Sequence, residues 1–232
     1  LDGGHGVLVY HYGKQNALAL WGSGPAFGMD ANMLLAWHKY GGGKDLLNKL
    51  YASIGANVVS FPYGPMPTQP LGWFKKPVTK IEDFKGLKFR TVGISIDVFT
   101  ALGAAVNALP GGEIVPAMDR GLLQSYHQNA EQFEIMFNKT KYDALPAKMR
   151  SVIENAVEAA SADMSWKAVD RYSKDYAELS AGGIKFYKTP AAVLQRQLTG
   201  YDTAAAKKSE GNALFKEIEA SQKQFAERAV KW

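Results

Sequence analysis

The sequence predicts an α/β fold with a largely parallel sheet. Two observations carry this. Short apolar runs that suit strands alternate along the chain with longer stretches that repeat apolar residues at helical spacing. Gly and Pro clusters separate the two kinds of segment. The 232 residues are 47% hydrophobic, enough for one large or two small domains with real cores. Charged residues make up 21%, an ordinary globular share that excludes a disordered chain.

The elements follow in order. Gly6-Val7-Leu8-Val9-Tyr10 suits a buried strand. Asp30 is placed to cap a helix that carries Met33, Leu34, Trp37 and Tyr40 on one face and stops at Gly41-Gly42-Gly43. Leu46, Leu47, Leu50, Tyr51 and Ile54 continue as a second helix to Gly55, and Asn57 to Phe61 is a strand. Pro62, Gly64, Pro65, Pro67 and Pro70 stiffen the loop that follows. Lys80 to Phe84 is a helical turn and Leu87 to Val92 a strand stopped at Gly93. Helices are expected over Asp97 to Leu102 and Gly112 to Arg120, and a strand over Phe133 to Phe137. Pro146 opens the strongest helix, with Met149, Val152, Ile153, Ala156, Val157 and Ala160 on one apolar face, continuing past Trp166 towards Leu179. Ile184 to Tyr187 is a further strand, Pro190 begins another helix, and a last helix aligns Leu214, Ile218 and Phe225.

Composition excludes several functions. Net charge is +5, yet the basic residues are scattered and no stripe or RNA-binding motif is present, so nucleic acid is not a partner. The absence of cysteine removes disulfides, thiol nucleophiles and cysteine metal sites. No apolar run approaches the roughly 20 residues of a membrane span. The opening Leu1-Asp2-Gly3-Gly4-His5 has no basic or apolar leader region, as expected of a processed or partial chain. The histidines His5, His11, His38 and His127 form no zinc-type pair. Gly93-Ile94-Ser95-Ile96-Asp97 departs from a nucleophile elbow at its second Gly, and Gly22-Ser23-Gly24 lacks the spacing of a dinucleotide fingerprint. No enzyme class gains support. An α/β metabolic enzyme acting on an acidic metabolite stays open as the alternative, because fold alone does not decide function.

A run of ordered motifs does point to a family. Asp2-Gly3-Gly4-His5-Gly6 with Tyr10, Gly13 and Lys14 comes first, then Gly24 to Met29, and Trp37 with Gly41-Gly42-Gly43. Gln69, Gly72, Trp73 and Phe74 precede Asp83 to Gly93, which reads Asp-Phe-Lys-Gly-Leu-Lys-Phe-Arg-Thr-Val-Gly. Leu102 to Ala104, Pro110 to Ile114, Ala117 to Gly121, Asn138-Lys139 and Ala144-Leu145-Pro146 complete the order. The chain resembles the solute-binding proteins of TRAP transporters, nearest the receptors for 2-oxo acids and lactate. The resemblance implies a two-lobed periplasmic-binding-protein-like fold with hinge strands and long C-terminal helices. On that reading residues 1–40 are part of lobe I, 41–122 form lobe II, and 123–232 hold the lobe-crossing strand and helices.

Two departures stand out. The family's first strands and helices are not found ahead of Leu1. An acidic-aromatic stretch is also expected after Arg120-Gly121, but Leu122-Leu123 runs straight into Gln124-Ser125, so the pattern breaks at 123/124.

The resemblance also implies roles. Arg90 would grip a substrate carboxylate, which a guanidinium fork does with two parallel charge-assisted bonds that Lys cannot reproduce. Gln69 would help hold a bridging Na⁺ or Ca²⁺ through its amide oxygen, as hard cations require. Tyr10, Trp73, Phe74 and His127 would line the ligand cleft. The expected partners are a small organic anion, a 2-oxo or 2-hydroxy monocarboxylate, and the membrane permease subunits. The expected compartment is the periplasm. Some relatives pair through a swapped terminal helix, so a homodimer through the Ala204 to Val230 region is left open.

Overall fold

The structure is a computed structural model that describes residues 2–23, 26–67, 70–109, 114, 124–125 and 130–231. Two three-stranded sheets organise the described residues. The first has the order β1 (Gly3–Gly6), β6 (Phe133–Asn138), β2 (Val58–Tyr63), antiparallel throughout. The second has the order β4 (Ala105–Asn107), β3 (Lys88–Arg90), β5 (Gln124–Ser125), parallel throughout. The parallel arrangement expected from the sequence therefore holds in one sheet only. β6 lies between β1 and β2 and runs against both, pairing Gly6 and Pro62 with Glu134.

The helices are α1 (Ala31–Tyr40), α2 (Gly43–Ser53), α3 (Ser95–Ala101), α4 (Lys139–Asp143), α5 (Ala147–Ala181), α6 (Ala191–Gly211) and α7 (Ala213–Ala229). Asp30 caps α1 as expected, its Oδ1 accepting from Met33 N at 2.8 Å. The main core joins Leu8, Leu18 and Trp21 to Leu34 and Trp37 of α1, Leu47, Leu50 and Tyr51 of α2, and Phe215 and Ile218 of α7. It runs without a break across residue 41, so α2 packs with the first 40 residues. A second cluster under the parallel sheet joins Phe84, Phe89, Phe99, Leu102, Ala104 and Val193. α3 serves both, turning Ile94 and Val98 to the main core and Phe99 and Leu102 to the second.

Four local expectations are corrected. The first strand is Gly3–Gly6, and Leu8–His11 forms a 3₁₀ turn that folds Leu8 and Val9 inward and leaves Tyr10 48% exposed. Gly6 lies close to Glu134, where a Cβ would stand 3.2 Å from Oε1. Ile184 to Tyr187 forms no strand; it is exposed, with the Phe186 ring tilted against Tyr176 at 4.3 Å between centroids. The apolar face assigned to α5 is only partly used. Val157 is buried, with Ile153 beside it, against Phe61 and Tyr142 of the first sheet region, whereas Met149 and Val152 are more than half exposed. The two helices expected after Pro190 are α6 and α7, but the last one starts at Ala213 and not near Ala204, and Leu214, Ile218 and Phe225 pack into the chain's own core. The helix expected over 112–120 lies, apart from Ile114, outside the described residues.

Candidate functional site

Arg90 ends β3 with its side chain fully buried. Its Nε donates to the Leu109 carbonyl at 2.9 Å. Its guanidinium carbon sits 6.0 Å from the centre of the Tyr10 ring, within cation–π range. The two residues come from different sheets' neighbourhoods, β3 and the turn after β1, and the fold brings them together. Tyr10 is about half exposed, whereas the Arg90 side chain is fully buried. A guanidinium held this way keeps a fixed plane, and a planar fork is what a carboxylate recognises.

The other sequence-predicted residues are placed differently. Phe74 stacks on Phe89 at 5.7 Å and meets Phe84 edge-on, so its ring belongs to the cluster beneath β3. Trp73 packs edge-on against Phe186 at 6.3 Å. Gln69 and His127 lie outside the described residues. Among the described residues no three of His, Asp and Glu converge to hold a metal ion. A small pocket lined by Leu20, Ser23, Phe27, Tyr201 and Gln222, among others, includes neither Arg90 nor Tyr10.

One polar centre escaped the sequence reading. Glu134 of β6 is fully buried, and its Oε2 accepts from Tyr51 Oη at 2.5 Å and Ser60 Oγ at 2.7 Å. Burial, then the neighbouring carboxylate, push the Tyr51 hydroxyl well above its usual pKa, so it stays a donor. Two residues earlier, Gln132 is fully buried and donates from Nε2 to the Trp21 carbonyl at 3.2 Å. The signal was a Glu set inside the run Phe133-Glu134-Ile135-Met136-Phe137, read there only as apolar.

Known proteins share this fold. Residues 23–126 match the family described as bacterial extracellular solute-binding protein, family 7. A monocarboxylate 2-oxoacid-binding periplasmic protein of Nostoc sp. PCC 7120 is 30% identical over 255 residues, covering 99% of this chain and 69% of that protein. The span of 255 exceeds the 232 residues here, so that relative carries residues inside the matched region that this chain lacks. Among solved structures, a TRAP periplasmic solute-binding protein of Pseudoalteromonas atlantica with bound sodium and pyruvate is 26% identical, with a TM-score of 0.90 over 100% of this chain and 77% of that one. A TRAP solute-binding protein of Bordetella bronchiseptica, a dimer with copurified calcium and picolinate, is also 26% identical, with a TM-score of 0.92 over 100% of this chain and 76% of that one. These are transport receptors and not enzymes, which removes the enzyme alternative. The chain therefore belongs to the family 7 bacterial extracellular solute-binding proteins, the receptors that capture small organic anions for TRAP membrane permeases.

Proposed function

We propose that this receptor captures a 2-oxo or 2-hydroxy monocarboxylate in the periplasm, with Arg90 as the anchor of its carboxylate and Tyr10 as one wall. The observation that supports this most is the buried Arg90 guanidinium facing the half-exposed Tyr10 ring at 6.0 Å. A carboxylate entering there replaces its water with a fixed planar donor, and the low polarity around Phe89 strengthens that contact. Closure of the two lobes around the acid follows from its higher affinity for the closed form. The 2-oxoacid and pyruvate named for two relatives agree with this class. Trp73, Phe74 and His127 belong to the proposal as further walls of the cleft.

A cation belongs to the proposal as well, since both solved relatives hold one, sodium or calcium. It would offset the charge of the buried acid, with Gln69 as the ligand drawn from the resemblance. The residues by which the Nostoc relative is longer inside the match are placed, on this reading, at 123/124, where the acidic-aromatic stretch is missing. No step of capture by Arg90 depends on the ion. A homodimer, if formed, would use a surface other than Leu214, Ile218 and Phe225; light scattering decides whether one exists.

The test is calorimetry with pyruvate, lactate, longer 2-oxo acids and a neutral sugar, in buffer free of sodium and calcium and then with each ion restored. Binding of an acid and not of the sugar is expected, tighter with one of the ions. Binding of sugars alone would overturn the ligand class, and equal affinity in all buffers would remove the cation.

A further inference from the structure

Three residues beyond Arg90 the chain turns at Gly93, with φ of +62°, into α3. That turn is seated on the residues around Tyr10. The Ile94 backbone N–H donates to Ser23 Oγ at 2.9 Å, inside the protein. A Cβ on Gly93 would stand 2.3 Å from Ser23 Oγ and 2.5 Å from Val9 Cγ2, closer than any side chain tolerates. Ile94 is fully buried in the main core with Leu8 and Trp21, although β3, from which it follows, belongs to the second sheet. Val9, one wall of the seat, immediately precedes Tyr10, and Gly93 follows Arg90 by three. A single contact thus ties the segment that carries the guanidinium to the segment that carries the ring. One turn along α3, Asp97 adds a second tie, accepting from Tyr12 Oη and pairing with Lys208 Nζ at 3.1 Å.

We infer that Ser23 and Gly93 are positioning residues for carboxylate capture: the close Ser23–Gly93 seat sets the separation and relative tilt of Arg90 and Tyr10. The inference rests on the proposal that Arg90 anchors the ligand. The reason is geometric. Two parallel bonds from a guanidinium need its plane to match that of the carboxylate, and binding geometry is lost with displacements of about 0.5 Å or more. A methyl at position 93 must push Ser23 and Val9 away by more than that.

Gly86 provides the control. It too has a left-handed φ, +71°, and lies just ahead of β3, but a Cβ there meets nothing within 4 Å. Gly86→Ala and Gly93→Ala therefore share the conformational penalty of an L-residue at positive φ, while only Gly93→Ala breaks the seat. Pyruvate, lactate and a longer 2-oxo acid would be titrated into the wild type, both glycine variants, Ser23→Ala and Arg90→Ala, with sodium and calcium present, and each unliganded Tm measured. Both glycine variants are expected to lose Tm, and only Gly93→Ala to lose affinity, by about tenfold or more relative to Gly86→Ala. Ser23→Ala removes one hydrogen bond and no backbone freedom, so it serves if Gly93→Ala does not fold. It should weaken binding about three- to tenfold and speed hydrogen exchange at the Ile94 amide. Affinities of Gly93→Ala and Ser23→Ala within twofold of Gly86→Ala, with Arg90→Ala still defective, would overturn the positioning role alone. Unchanged binding by Arg90→Ala, or no acid bound by the wild type, would remove the anchor and the positioning role with it.

Discussion

Arg90 in the parallel sheet and Glu134 in the antiparallel sheet are both fully buried charged side chains, yet their surroundings differ in kind. Glu134 is met from inside: Tyr51 of α2 and Ser60 of β2 donate to one of its oxygens, and both donors are themselves buried. Arg90 is met by a loop carbonyl at Leu109 and by the ring of Tyr10, a residue half open to solvent. Burying charge is costly unless it is answered. The first residue is answered by the fold, so its role is to hold strands β2 and β6 and helix α2 together. The second lies beside a ring half open to solvent, which suits the proposed role of carboxylate anchor. Burial alone does not separate a structural charge from a binding one; the exposure of its partners does.

That contrast can be broken by mutation. The largest effect on stability is expected at Glu134. Glu134→Ala would leave two buried hydroxyls without their acceptor and open a void, costing about 3–5 kcal/mol. Glu134→Gln keeps an acceptor for Tyr51 and Ser60 while removing a buried charge, so Tm should hold or rise. Thermal melts check both, and a Glu134→Gln protein markedly less stable than wild type would show that the charge itself is needed.

The next effect is a pH dependence on the same side of the molecule. His38 is buried, its Nδ1 accepts from Trp21 Nε1 at 3.2 Å, and burial, with Lys44 adding to it, pushes its pKa down to about 4. A group whose folded pKa lies below its unfolded value near 6.5 favours the unfolded state when protonated. Its contribution is therefore full above about pH 6.5 and is lost as pH falls towards 4, by about 3 kcal/mol in all. Urea denaturation at pH 7.5 and pH 4.5 should show that loss, and His38→Gln, which keeps an acceptor for Trp21, should flatten it.

The smallest effect is expected at the exposed ion pair between Lys39 and Glu158, where both side chains are about half accessible. Lys39→Ala should cost less than about 1 kcal/mol, and less still in high salt. A larger loss would mean that surface charge holds α1 to α5 more firmly than the buried contacts do.

Much of this arrangement was legible before any coordinates. The cap at Asp30, the break at Gly41 to Gly43, the α2 stripe of Leu47, Leu50 and Tyr51, and a strand through Arg90 all follow from local rules of spacing and turn chemistry. What escaped depends on residues far apart in sequence. Tyr10 was read inside a strand, but its exposure results from Leu8 and Val9 turning into a core completed by α7. The face of α5 looked committed by periodicity, yet periodicity does not say whether a neighbour exists to cover Met149 and Val152. Ser23 carries no motif of its own, and it matters only because Gly93, 70 positions later, leaves no Cβ between them. Glu134 needed two partners from separate elements, Tyr51 of α2 and Ser60 of β2, before its burial made sense.

The central claim, that Arg90 faces the ligand while Glu134 faces the fold, is tested most directly by titrating pyruvate into the wild type, Arg90→Ala and Glu134→Gln by calorimetry. A carboxylate deprived of its buried partner should lose about 2–5 kcal/mol of binding in Arg90→Ala, a fall of about thirtyfold or more, while Glu134→Gln stays within about threefold of wild type. Near-wild-type affinity in Arg90→Ala, or a comparable collapse in Glu134→Gln, would contradict the account.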